Sequence, residues 1–154
     1  MAKPKASETY YPPLGYYFKV QFSVGGGEKH DTEFQEVTGF SIDMETESWK
    51  EGGENRFEHK LPTRSKFSEI TLKRGYMPES GLGDWVKKNL LEFEFEPASV
   101  DIFLLNEEGK PLSAWYVYNA YPTSWSTSDL KAEESAIVVE TMKLTYQYWT
   151  KVKV

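Results

Sequence analysis

Two histidines, a run of spaced carboxylates and a glycine pair are the residues whose types invite a chemical reading. His30 and His59 each stand in a strongly polar stretch. A histidine triad or a zinc site needs such a residue beside a defined partner, and no HExxH or similar spacing surrounds either one. Glu92, Glu94 and Glu96 alternate with Phe93 and Phe95. Two facing carboxylates can cleave a glycosidic bond, but any acidic surface offers such pairs. The alternation reads better as an extended segment with one apolar face. Gly52-Gly53 lies within WKEGGENRFEHKLP, residues 49–62. Glu51 and Glu54 flank the pair and would repel a phosphate, so a phosphate cradle is excluded. Neither GxxxxGK[ST] nor GxGxxG occurs, and the chain has no cysteine for a nucleophile, thiolate zinc site or disulfide. No catalytic, metal or cofactor site emerges, and the protein is expected not to be an enzyme.

Stepping from residues to elements, the 154-residue chain is long enough for one domain, spanning 1–154. Its 5 Trp, 10 Tyr and 9 Phe are spread along the length and supply a core, which argues against disorder. A net charge of −6 disfavours direct binding to nucleic-acid phosphates or anionic lipid. No apolar h-region opens the chain and no run of about 18 apolar residues exists, so neither a signal peptide nor a membrane segment is expected.

Residues 1–9 read as a flexible arm, and Pro12-Pro13 as a rigid lead-in. Phe18, Val20 and Phe22 alternate with Lys19, Gln21 and Ser23, which predicts a half-buried strand. The triple glycine at 25–27 and the polar residues to Asp31 predict a connection. Residues 33–49 predict a second strand region with Phe34, Phe40 and Ile42 in the core and a bulge or close approach at Gly39. A strand over 57–61 is expected to end at Pro62, and another to span 67–74. Leu82, Trp85, Val86 and Leu90 share one helical face, so a helix anchored by them is predicted, with Lys87, Lys88 and Asn89 pointing elsewhere. Ser80 or Gly83-Asp84 would cap it. A hairpin is expected over 100–120, and a strand over 137–149 whose polar face carries Thr141, Lys143, Thr145 and Gln147. The sum is a mainly β, antiparallel barrel- or sandwich-like domain with one packed helix and about seven strands. Its strand edges need cover, which joining copies edge to edge would supply.

EGGEN at 51–55, HKLP at 59–62, LKRG at 72–75 and the helix with Asp84-Trp85 stand in an order that resembles the tail-tube family. That family serves contractile phage tails and related injection systems. PLSAWYVYNAYPTSW at 111–125 and AIVVETMKLTYQYW at 136–149 extend the resemblance from about Gly15 to Trp149.

The resemblance implies a structural inner tube protein whose sheets merge between protomers into hexameric rings. The rings stack around a channel for protein cargo or DNA, and a contracting sheath drives the tube through a target envelope. Implied partners are further copies of the chain, the sheath, the baseplate and spike hub, and a terminator cap. Luminal effector or DNA completes the set, without sequence-specific nucleic-acid binding. Assembly would occur in the cytoplasm, and the final location would be a phage tail or injection particle, released or envelope-anchored.

On this reading residues 45–60 form an extended assembly loop. The length of WKEGGENRFEHKLP and its charge argue against a simple tight turn. Lys50, Glu51, Gly52, Gly53, Glu54, Asn55 and Arg56 are candidates for subunit contacts. Lys19, Gln21 and Ser23, with Thr141, Lys143, Thr145 and Gln147, are candidates to face the lumen. Two alternatives stay open: a tube-initiator or terminal-ring paralogue, and a monomeric carbohydrate-binding β module using Trp115, Tyr116, Tyr118, Tyr121 and Trp125.

Overall fold

A computed structural model describes residues 14, 15, 17–25 and 29–153, with backbone alone at 29–32. The arm expected over 1–9 lies outside the described residues, as do the glycines at 26–27 and the side chain of His30. The elements in order are β1 (Phe18–Val24), β2 (Lys29–Thr32), β3 (Glu36–Thr38), β4 (Ile42–Trp49), β5 (His59–Phe67), β6 (Ile70–Gly75), α1 (Gly81–Leu90), β7 (Ala98–Leu105), β8 (Pro111–Thr127), β9 (Val139–Thr145) and β10 (Tyr148–Lys153). All strand pairing is antiparallel.

The 17 residues of β8 organise the body. Its first half pairs with β7 on one side and β10 on the other. Its second half pairs with β9. Between the halves Asn119 takes φ 51, a left-handed conformation that asparagine tolerates better than most residues. One strand thus serves two sheets. The larger runs β2-β1-β7-β8-β10 and the smaller runs β8-β9-β6-β3.

Period-two alternation turns Val20 and Phe22, Val100 and Ile102, Ile70 and Leu72, and Met142 and Leu144 into one buried core with Val117 and Ala120. Helix α1 adds Leu82, Trp85 and Val86 to it. Each fully buried side chain of this size contributes about 1.5–3 kcal/mol.

Ser80 caps α1, its Oγ accepting from the Gly83 amide at 3.3 Å. Asp84 in the first turn and Lys87 and Lys88 in the last complement the helix dipole. Of the predicted anchors, Leu90 is only partly buried. Asn89, expected to point away, is buried. Its amide donates to the Trp85 carbonyl at 2.8 Å and its Oδ1 accepts from the Glu96 amide at 3.1 Å. The Trp85 indole donates to the Glu96 carbonyl at 2.6 Å. These bonds pin the chain after the helix, a job that needs a buried amide rather than an apolar side chain.

Several boundaries differ from expectation. The 33–49 region splits into β3 and β4 at Gly39, whose φ is +98; a Cβ there would stand 2.0 Å from the Glu69 carbonyl oxygen. Gly39→Ala should therefore lower stability by more than about 1 kcal/mol, read as a fall in the thermal midpoint. An unchanged midpoint would show that this backbone contact is dispensable. Ile42, expected in the core, is 49% exposed, because β4 pairs only with β5 outside the two sheets.

Pro62 does not end a strand. It sits inside β5 opposite Thr46, next to a register shift, where a strand paired on one side tolerates proline. Residues 29–32 form β2 rather than a connection, because they pair back onto β1. The strand expected over 137–149 begins at Val139 and breaks at Tyr146-Gln147, where it passes from one half of β8 to the other. Residues 92–96 are irregular rather than extended, and both Phe93 and Phe95 are exposed.

Candidate assembly surfaces

The residues expected as an extended assembly loop form the outer part of a β-hairpin. β4 and β5 pair from Ile42–Phe67 at the base to Trp49–His59 near the tip. The Glu54 amide donates to the Glu51 carbonyl at 3.3 Å, and Gly53 holds φ +92. The centre of WKEGGENRFEHKLP is thus the tight turn that its length and charge argued against, and Gly53 supplies the positive φ such a turn requires.

Both strands are exposed along almost their whole length, so the hairpin does not fold back on the body. Its base is held by the Ser68 amide donating to the Ser41 carbonyl at 3.2 Å and by Phe67 against Tyr146 and Trp149. At about 3.3 Å per residue, eight residues of β4 carry the tip roughly 26 Å outward.

The tip's charges are largely satisfied within the hairpin. Arg56 binds Glu54 through two bonds, at 2.8 and 2.9 Å. Lys50 meets Glu58 at 3.0 Å, and His59 meets Glu51 at 3.4 Å. Farther down, Arg64 meets Glu45 at 2.8 Å. The Arg56 hydrogen bond holds the Glu54 carboxyl below the usual range, and Arg64 does the same for Glu45. Depressed carboxylates keep their pairs above the ordinary carboxylate pKa and lose them as pH falls through the lowered one. The tip therefore offers a neighbour less charge than the sequence suggested. What it exposes is apolar: Trp49, Phe57 and Leu61, each more than half exposed. Sequence reading missed them because isolated apolar residues in a charged stretch carry no periodicity.

The candidate luminal residues fall on two different sheets. Lys19, Gln21 and Ser23 project from β1 in the larger sheet, and Thr141, Lys143 and Thr145 from β9 in the smaller. The sheets bury their facing sides on one core, so these polar sides point apart. Gln147 lies between β9 and β10 and accepts from Asn119 at 2.8 Å.

Register extends the β9 row across the smaller sheet, because directly paired residues share a face. Thr71, Lys73, Thr38 and Glu36 join it from β6 and β3, and Ser124 and Ser126 from β8. Lys73 meets Glu36 at 3.2 Å. The result is a hydroxyl-rich face of nearly balanced charge. The larger sheet's outer side instead carries Phe103, Tyr116, Tyr118 and Tyr148, with the last two stacked at 4.6 Å. Among the described residues, the smaller sheet ends in two open edges, Glu36–Thr38 and the second half of β8.

The five aromatics of the carbohydrate-module reading share no platform. Trp115 packs on Phe40, and Trp125 donates to the buried Glu140 at 2.7 Å. Tyr116 and Tyr118 lie on the larger sheet, and Tyr121 pairs with Thr145 on the smaller.

At the far end of the smaller sheet from the hairpin, residues 128–138 form a loop closed by the Ser128 and Val139 pair and by the Tyr76 amide on the Val138 carbonyl. A groove of about 370 Å³ opens there, lined by Leu130, Ala132, Ala136 and Val138 with Asp129, Lys131 and Glu134. Leu130 and Ile137 are nearly four-fifths exposed. Among the described residues, no cluster of three or more His, Asp or Glu is arranged to hold a metal, and no helix is long and apolar enough to cross a membrane.

Open edges and a projecting apolar hairpin are the features of a subunit that joins other subunits. The T4-like virus tail tube protein gp19 family matches residues 15–150, and the chain belongs to that family. It is a tail tube protein. A chain of the anti-feeding prophage (AFP) baseplate is similar at TM-score 0.89 and 29% identity, over 94% of this chain and 97% of that one. A chain of the PVC sheath-tube complex, an extracellular contractile injection system in the extended state, is similar at 0.79 and 30%, over 95% of each. Hcp1 from Flavobacterium johnsoniae shares the fold at 0.55 and 14%, over 88% of this chain and 96% of that one. No curated protein matches the sequence.

Proposed function

We propose that the protein is the inner tube subunit of an extracellular contractile injection system. It forms hexameric rings that stack into a channel, works with sheath, baseplate and terminator cap, and performs no bond chemistry. The observation that carries this reading is the pair of open edges on the smaller sheet. Joined edge to edge around a ring, they satisfy each other's backbone groups and leave the hydroxyl-rich face of Thr71, Thr141, Lys143 and Thr145 toward the channel. Of the two polar faces, this one is assigned to the lumen, because the β1 face shares its sheet with exposed aromatics suited to an outer partner. Similarity to the AFP and PVC chains supports an injection system over a phage tail.

Negative-stain microscopy of the assembled protein should show rings and tubes. In those tubes Lys143→Cys should react with a small maleimide but resist a bulky polymer-maleimide, while Gln21→Cys reacts with both. Reversal of that pattern would place the β1 face in the channel. Strictly monomeric protein would remove the tube reading.

A second reading is a baseplate-proximal initiator ring, favoured by the TM-score of 0.89 to the AFP baseplate chain. It predicts single rings without long tubes.

A further inference from the structure

The stretch LEFEFE at 91–96 leaves its apolar side chains outside the core, yet its backbone is held firmly. The Leu91 amide donates to the Lys87 carbonyl at 2.8 Å, and the Glu94 amide to the Lys88 carbonyl at 3.1 Å. Trp85 and Asn89 fix Glu96 at the other end. Between these anchors Phe93 takes φ 54, a left-handed position that glycine usually fills at a helix end. A bulky side chain is strained there, and Phe93 gains no burial in return, being 73% exposed. Leu91 and Phe95 beside it are also well over half exposed. An apolar knob that is pinned, strained and exposed is preorganised for a partner.

Strand order brings a partner surface beside it. β7 flanks β8 on one side, while β9 and β10 flank it on the other. The β7 ladder stops at Ala98–Ala120. Beyond that point the side of β8 that β7 occupied is the open edge of the smaller sheet. Residues 91–96 come just before Ala98, so the knob stands beside the start of that edge. In a ring, the open edge Glu36–Thr38 of the next copy arrives at the same place. Beneath β3 lies a recess of about 240 Å³, lined by Phe18, Val37, Phe40, Ile102, Leu104 and Trp115. Glu36, on its rim, is paired with Lys73 at 3.2 Å, so the rim sets little net charge against Glu92 and Glu94.

We infer that the Phe93 knob of one copy seats in the recess beneath β3 of its neighbour in the same ring. This contact rests on the edge-to-edge ring reading and locks the joined edges from beneath.

The chain has no cysteine, so an engineered pair reports cleanly. Phe93→Cys with Gln35→Cys should be assembled under reducing conditions, treated with a short bismaleimide and run on a denaturing gel. Bridged products up to six chains are expected and none larger, because the contact closes within a ring. Either single variant should give no bridged product. A ladder beyond six would place the contact between rings, and tubes without bridged products would remove it. Both overturn the inference while the tube reading stands; a parent chain that forms no rings would remove both.

Should the double variant fail to assemble, Phe93→Gly decides. Glycine relieves the left-handed backbone, so the monomer should melt no lower than the parent, within about a degree or two. Ring formation should weaken at least about tenfold, from the loss of one buried aromatic side chain at every joint. A clearly lower melting point would make Phe93 a residue of the fold, and rings at parental concentration would make the knob idle. Either result overturns the proposal.

Discussion

Replacing Trp49, Phe57 and Leu61 together by serine should abolish tubes while leaving the fold intact. These side chains are more than half exposed in the isolated subunit, so the fold gains little from them. Burial in a neighbour removes each from water, and a fully buried side chain of this kind is worth about 1.5–3 kcal/mol. Because part of each surface is already covered, the triple variant should weaken one contact by roughly 3–5 kcal/mol. That is about two to four orders of magnitude in association, repeated at every subunit of a ring. Thermal melting of the monomer should match the parent within a degree or two. Sedimentation and negative-stain microscopy should find rings or monomers where the parent forms tubes. Tubes of parental length at parental concentration would refute the role given to the tip.

The second large effect lies inside the body. Arg74 and Glu140 form an ion pair at 2.7 Å with both side chains about 1% exposed. Trp125 donates to the second carboxylate oxygen at 2.7 Å, and Arg74 Nη2 donates to Ser80 Oγ, the helix cap, at 3.0 Å. One buried carboxylate thus ties β6, β8 and β9 together and, through Arg74, reaches the start of α1. Removing one member of a buried pair leaves an uncompensated charge and costs about 3–5 kcal/mol. For a domain of this size the thermal midpoint of Glu140→Ala should fall by on the order of 10 °C. Replacing both members by apolar residues of similar volume, as in Arg74→Met with Glu140→Leu, should recover most of that loss. If the double variant melts as low as the single one, the network matters for its geometry and not for its charge.

How much of this was legible beforehand depends on the range of the signal. Alternation along Phe18–Val24 and around Met142 gave the core faces, and the spacing of Leu82, Trp85 and Val86 gave the helix, because both signals are local. Asn89 was misjudged since its burial follows from the Glu96 backbone returning over the helix, a contact no periodicity encodes. Ile42 looked like a core residue because its type is apolar, yet its strand leaves the body. The luminal candidates were drawn from two strands with the same pattern. Only pairing showed that β1 and β9 belong to different sheets with outward faces pointing apart. The family resemblance pointed to residues 45–60 as an assembly element, but the division of labour within it needed coordinates. The charges there pair with one another, and the apolar residues are left over.

β8 has a mechanical consequence. The proposed channel wall and the outer layer are not two plies held only by side-chain contact, because β8 is a covalent member of both. A sheath dragging on the outside of the tube during contraction would pull on the same backbone that forms the bore, bending at Asn119. Shear between the layers is then carried by the chain itself, and delamination would require that strand to be stripped from β7, β10 and β9.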